Sequence, residues 1–145
     1  DYCKEHDIGT IVVGKNEGWK TGINIGTKNN QHFTIMPLAK LLEKVQYKAE
    51  LVGIKYIETE ESYTSKCSFL DNEKLIKKEN YLGSRIKRGL YQSFSGKFLS
   101  ADINSAANIL KKVRSDVAFS NQDLMGLMFN PEMLEYNSWK LASFY

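Results

Sequence analysis

The residues able to do chemistry in this chain are acids, and they fall in two places. Glu58, Glu60 and Glu61 close a β-type run, and Asp102 opens the stretch Ala101-Asp102-Ile103-Asn104-Ser105-Ala106-Ala107-Asn108-Ile109-Leu110-Lys111-Lys112. Hydrolysis of a phosphodiester at neutral pH commonly uses two divalent ions a few ångströms apart, which activate the attacking water and stabilise the leaving oxygen. Magnesium takes oxygen ligands and keeps several waters, so a protein contributes a few carboxylates rather than a cage. Glu61, just past a strand, and Asp102, at a helix start, fit two of those positions if the chain between them returns to the same sheet edge. Two plainer readings stand beside this one. The three glutamates also suit an exposed turn. Asp102 also suits an ordinary helix N-cap, where a carboxylate meets free backbone N–H groups.

The elements that must position these acids are legible upstream. Gly9-Thr10-Ile11-Val12-Val13-Gly14 is a short β-branched run bounded by glycines and predicts a buried strand. Lys15 to Phe33 is polar and glycine-rich, which predicts a loop. It carries Lys15, Trp19, Lys20, Lys28 and His32, a mixture suited to phosphate contact and base stacking, and equally to a solvated loop with Trp19 tucked on the core. Pro37 begins a helix whose stripe is Leu38, Leu41, Leu42, Val45, Ala49 and Val52, and Gly53 ends it. Ile54-Lys55-Tyr56-Ile57-Glu58 alternates and predicts a second strand. Strand, loop, helix, strand is a βαβ-like unit, so the fold class is α/β with at least one parallel pair.

From Thr64 to Ser100 the periodicity lapses and positive charge gathers. Lys66, Lys74, Lys77, Lys78, Arg85, Lys87, Arg88 and Lys97 are interleaved with Phe69, Tyr81, Tyr91, Phe94 and Phe98. That composition holds a nucleic-acid backbone and stacks bases; a solvated charged face is the alternative. The helix from Asp102 to Arg114 is expected to bury Ile103, Ala106, Ala107, Ile109, Leu110 and Val113, with Lys111, Lys112 and Arg114 suited to its C-terminal end. Beyond it, Leu124 to Leu134 is apolar and broken by Pro131, and no chemistry is visible. The whole has 145 residues, 42% of them hydrophobic, which is one domain's worth of chain. No run approaches the length of a membrane span and no N-terminal signal pattern is present, so no membrane partner is expected. Cys3 and Cys67 form neither a disulfide framework nor a complete cysteine zinc site, and a reduced cytoplasmic setting is the simplest expectation. A net charge of +3 is mild, so the clustering of charge matters more than its sum.

Seven pieces in order carry a resemblance. They are Ile11-Val12-Val13-Gly14-Lys15 through Gly18-Trp19-Lys20, Asn29-Asn30 with Phe33, Tyr47-Lys48-Ala49-Glu50 with Gly53-Ile54, Glu61-Ser62-Tyr63-Thr64-Ser65-Lys66, Ser68-Phe69-Leu70-Asp71, Arg85-Ile86-Lys87-Arg88-Gly89-Leu90-Tyr91, and Ala101-Asp102-Ile103-Asn104. Together they resemble the C-terminal part of the TnpB (OrfB) family, transposon-associated RNA-guided DNA endonucleases often labelled transposases. The resemblance runs from Tyr2 to Val113. It implies a partial RNase H-like (RuvC) core with an inserted basic nucleic-acid-binding segment. The segments would be 1–63 core strands and helix, 64–100 basic insert in the place of a zinc ribbon, 101–114 helix with the third acidic motif, and 115–145 tail.

The resemblance also implies roles. Glu61 and Asp102 would be catalytic magnesium ligands, and Lys20, Lys66, Lys77, Lys78, Arg85, Lys87, Arg88 and Lys97 would contact nucleic acid. Most of the family carries its second catalytic Glu where Gly14 or Lys15 stands here; one branch, and the related Fanzor proteins, move it to the later strand, which is Glu61. The four zinc cysteines of the family correspond to Ser68, Asp71, Gln92 and Ser95, so no zinc is expected. The family's first catalytic Asp and its guide-binding region have no counterpart, so the chain is expected to be a C-terminal fragment whose missing N-terminal half is a partner alongside DNA and guide RNA. Its setting would be the cytoplasm, at the nucleoid. Three functions remain open: a magnesium-dependent endonuclease when complete, a nuclease-dead RNA-guided DNA-binding protein or transposon remnant, and a generic basic α/β nucleic-acid-binding domain.

Overall fold

The computed structural model of the chain describes residues 1–16 and 38–115. The expectations for Trp19, Lys20, Lys28, His32, Pro37 and the segment beyond residue 115 lie outside the described residues. A short helix, α1 (Tyr2–Glu5), leads into β1 (Thr10–Lys15), which pairs in parallel with β2 (Lys55–Glu60). Thr10 stands opposite Lys55 and Lys15 opposite Glu60, so the parallel pair expected from the sequence is present. β2 runs past Glu58 because β1 continues to Lys15 and offers ladder partners to Thr59 and Glu60. The apolar residues of β1 are less covered than expected: Ile11, Val12 and Val13 are half-buried.

α2 (Leu38–Leu51) packs against β2. Its end is a Schellman turn, in which the Gly53 N–H donates to the Glu50 carbonyl at 3.1 Å and the Ile54 N–H to the Ala49 carbonyl at 2.9 Å. Gly53 has φ of +74°, the left-handed conformation this turn requires. Ala49 and Ile54, the two positions that pair apolar side chains in the motif, are both buried. The rest of the predicted stripe is only partly covered. Leu42 and Val45 are half-buried, while Leu41, Leu51 and Val52 are exposed.

Residues 64–100 hold a sheet that hydrophobic periodicity does not reveal. β3 (Ser84–Lys87), β4 (Leu90–Gln92) and β5 (Phe98–Ser100) form an antiparallel sheet in that order. Arg88 and Gly89 make the first turn, with Gly89 at φ +77°, and a register shift between Arg85 and Lys87 bulges the edge strand at Ile86. β3 is exposed along its whole length and the other two strands have three residues each, so none shows an alternating pattern.

α3 (Ala101–Val113) follows β5 directly and packs on both sheets. The core lies between it and the antiparallel sheet: Tyr91, Leu99, Ala101 and Ala107 are buried, with Phe69, Leu70 and Ile103 against them. The face expected to be buried is corrected here. Ile109, Leu110 and Val113 are half-buried and Ala106 is exposed, whereas Asn104 and Asn108 have no exposed surface at all. The reason is the irregular chain from Thr64 to Phe69, whose backbone groups need partners that no ladder provides. Asn104 donates to the Cys67 carbonyl at 2.9 Å and accepts the Phe69 N–H at 3.0 Å. Asn108 donates to the carbonyls of Thr64 at 2.9 Å and Cys67 at 2.8 Å.

Candidate functional site

The C-terminal ends of β1 and β2 open into a cleft lined by Lys15, Asn16, Glu58, Thr59, Glu60 and Ser62. The outer ends of parallel strands are where α/β sheets hold ligands, because side chains from adjacent strands converge there. The three glutamates that the sequence leaves equivalent are distinguished by their partners. Glu58 pairs with Lys15 Nζ at 2.7 Å, a hydrogen bond that holds its carboxyl below the ordinary range. Glu60 pairs with Lys112 Nζ at 2.8 Å, with the same effect on its carboxyl, and also accepts the Ser62 N–H at 2.6 Å. Glu61 is held by a neutral group instead: Asn16 Nδ2 donates to its Oε1 at 2.8 Å. No hydrogen bond reaches its Oε2 from the described residues.

That second oxygen lies over Gly14. A Cβ added at Gly14 would stand 2.8 Å from Glu61 Oε2, 2.9 Å from Glu61 Cβ and 2.7 Å from Ile109 Cδ1, all closer than real side-chain packing allows. The bare backbone of β1 is therefore what admits the Glu61 carboxylate. The backbone of Glu61 is fixed as well, since the Thr64 hydroxyl and N–H both donate to its carbonyl, at 2.7 and 3.2 Å. Between them Tyr63 is in the left-handed region at φ 65°, which costs a side-chain-bearing residue about 1–2 kcal/mol.

Asp102 is exposed in the first turn of α3. The N-cap position is Ser100, so the capping reading of Asp102 does not hold; the helix starts a residue earlier because β5 runs straight into it. No hydrogen bond reaches the Asp102 carboxylate from the described residues. Asp102 and Ile109, seven residues apart, share one face of the helix and are separated by about 10 Å of rise. Asp102 therefore lies two helical turns N-terminal to Ile109, whose Cδ1 and the Glu61 side chain both lie against Gly14. Among the described residues, no group of three or more His, Cys, Asp or Glu is gathered around one point. Glu61 thus has one carboxylate oxygen, and Asp102 both, without a hydrogen bond from the described residues.

The insert is fastened by carboxylates. Where the resemblance places two of the zinc cysteines, the Ser68 hydroxyl donates to Asp71 Oδ2 at 2.5 Å, and the same oxygen accepts the Phe94 N–H at 2.7 Å. One acid thus ties the 68–71 turn to the β4–β5 turn, a cross-link made by hydrogen bonds. Glu73, which no sequence motif singles out, is buried and accepts from the N–H groups of Ser68 at 2.7 Å and Leu82 at 3.1 Å and from Lys78 Nζ at 2.8 Å. Burial pushes its carboxyl up, but these donors outweigh it and the net direction is down. Cys67 is buried, and that burial raises its thiol, with the nearby Glu73 charge adding to the effect.

Of the basic residues assigned to nucleic acid, Lys78 is turned inward to Glu73 and Lys66 lies 5.9 Å over the Tyr81 ring. Lys77, Arg85, Lys87, Arg88 and Lys97 are exposed, and none forms an ion pair among the described residues.

Residues 39–109, from α2 through the second buried turn of α3, match the family model described as Cas12f1-like, TNB domain. The matched stretch contains Glu61, the whole antiparallel insert and Asp102, and it supports a relationship to the Cas12/TnpB-like nucleases. Neither a curated protein nor a solved structure matches the chain.

Proposed function

We propose that this chain is the C-terminal part of a TnpB-like, transposon-encoded, RNA-guided DNA endonuclease, with Glu61 and Asp102 as magnesium ligands. The observation that carries this reading is the placing of Glu61. Its Oε1 is held by a neutral amide and its Oε2 lies over a glycine that leaves it room, while Glu58 and Glu60 are each paired with a lysine. The family match supports the class of chemistry.

Bound there, magnesium would supply Lewis acidity and a water of lowered pKa. The chain's own residues do the rest. Asn16 orients the Glu61 carboxylate without cancelling its charge. Lys15 and Lys112 offset the charges of Glu58 and Glu60, which would otherwise repel an incoming phosphate. Lys77, Arg85, Lys87, Arg88 and Lys97 hold nucleic-acid backbone, while guide pairing reads the target sequence.

A second reading is a nuclease-dead binding protein, which the exposed cations Lys77, Arg85, Lys87, Arg88 and Lys97 would serve equally. The test is magnesium-dependent cleavage of a guide-matched DNA duplex by the complete protein. Guided cutting is expected. Guided binding without cutting would favour the dead module, and unguided binding alone would leave only a generic basic domain.

A further inference from the structure

The turn between β4 and β5 is clamped more firmly than a surface turn needs. The Ser93 N–H donates to the Lys97 carbonyl at 2.9 Å, the Gly96 N–H to the Ser93 carbonyl at 3.0 Å, and the Lys97 N–H to Ser93 Oγ at 3.1 Å. The Ser93 and Ser95 hydroxyls lie 3.0 Å apart, and Asp71 takes the Phe94 N–H at 2.7 Å. Ser93 is buried, yet Phe94 beside it is 75% exposed, the highest value among the large apolar side chains described. A Phe left in water forgoes about 1.5–3 kcal/mol of burial. A turn bonded at five points that nonetheless holds its ring outward has a use for that ring.

The surroundings indicate the occupant. Phe98 pairs with Gln92, on the sheet face opposite buried Tyr91 and Leu99, and is itself 47% exposed. Lys97 precedes Phe98 and lies in the same turn as Phe94, and exposed Arg85, Lys87 and Arg88 lie on the same small sheet or its first turn. None of these cations forms an ion pair among the described residues. The acids of residues 64–100 do not offset them, since Asp71 is spent in the clamp and Glu73 is interior, leaving Glu79 at the surface. Unpaired cations around projecting rings complement a polyanion with stackable faces. In a duplex those faces are covered by neighbouring base pairs, so a projecting ring suits an unpaired base.

We propose that Phe94 is a stacking platform for an unpaired nucleobase of a single strand, with Phe98 beside it and the sheet's cations on the flanking phosphates. Asp71 is the positioning residue that holds the ring outward. This assignment rests on the nucleic-acid reading of the insert and adds the form of nucleic acid and the residue that takes it.

The test is fluorescence anisotropy of the complete protein with a labelled single-stranded oligonucleotide and with its duplex, across a salt series. Phe94→Ala should weaken single-strand binding about 5- to 100-fold while leaving the duplex affinity and the salt slope unchanged. Phe94→Trp should retain affinity. A 2-aminopurine base in the strand should be quenched by the parent and by Phe94→Trp, but not by Phe94→Ala. Equal single-strand affinity for parent and Phe94→Ala overturns the assignment and leaves the insert a nucleic-acid binder. An equal loss on strand and duplex also overturns it, since Phe94 would then serve the fold. No binding of either form by the parent at low salt overturns the nucleic-acid reading itself.

Discussion

Gly14 and Glu61 are fitted to one another: the residue without a side chain on β1 is where the carboxylate from the end of β2 rests. Gly14→Ala should therefore act at a distance from its own chemistry. The new methyl must displace Glu61 or Ile109, at a stability cost of about 1–3 kcal/mol. Guided cleavage by the complete protein should fall as it does for Glu61→Ala. Because the two residues touch, the double variant should lose little more than either alone, a non-additivity that a cleavage-rate cycle measures. Residue types and spacing alone do not choose among Glu58, Glu60 and Glu61. The choice depends on Lys15 and Lys112, which reach Glu58 and Glu60 from 43 and 52 residues away. The resemblance singles out Glu61, and the structure adds the physical distinction between a carboxylate held by an amide and two held by ammonium groups.

At the scale of elements, α3 is both the carrier of Asp102 and the fastener of the insert. Asn108→Ala would strip the Thr64 carbonyl of its partner and leave the Cys67 carbonyl with Asn104 alone, and should cost about 2–3 kcal/mol in urea unfolding. Gly53→Ala places a Cβ in a left-handed turn and should cost about 1 kcal/mol by the same measurement. Glu73 gives the insert a pH dependence whose sign follows from its lowered carboxyl. Its contribution is fully present above the ordinary glutamate value of 4.5 and is lost as pH falls through the lower folded value. Thermal midpoints should thus drop below about pH 4.5 for the parent, and Glu73→Gln should be less stable at neutral pH with a flatter acid limb. The strands β1 and β2 and the helices α2 and α3 are legible in the sequence because their periods are long and punctuated by Gly53 and the β-branched run. The antiparallel sheet is not, because its strands are short and β3 buries nothing. Its only trace is the pair of turn dipeptides Arg88-Gly89 and Ser95-Gly96, which the surrounding charged stretch masks. The buried face of α3 escapes a periodicity count because its buried asparagines count as polar.

Across the molecule, charge is sorted by place rather than by amount. The net charge is only +3, yet residues 64–100 carry eight cations against three acids, and two of those acids are consumed internally. Replacing Arg85, Lys87 and Arg88 with Gln should weaken binding to all sequences alike and lower the salt slope by about 0.9 for each phosphate no longer neutralised, read from anisotropy titrations. No helix among the described residues is long and apolar enough to cross a membrane. The central proposal joins the three scales: one carboxylate, held by an amide and lodged over a glycine, serves a nuclease built around this sheet. The most direct test compares magnesium-dependent cleavage of a guide-matched duplex by the complete protein and by its Glu61→Gln variant, with guided binding measured alongside. Cutting abolished in the variant while binding persists is the predicted result. Cutting that survives the substitution would contradict the account.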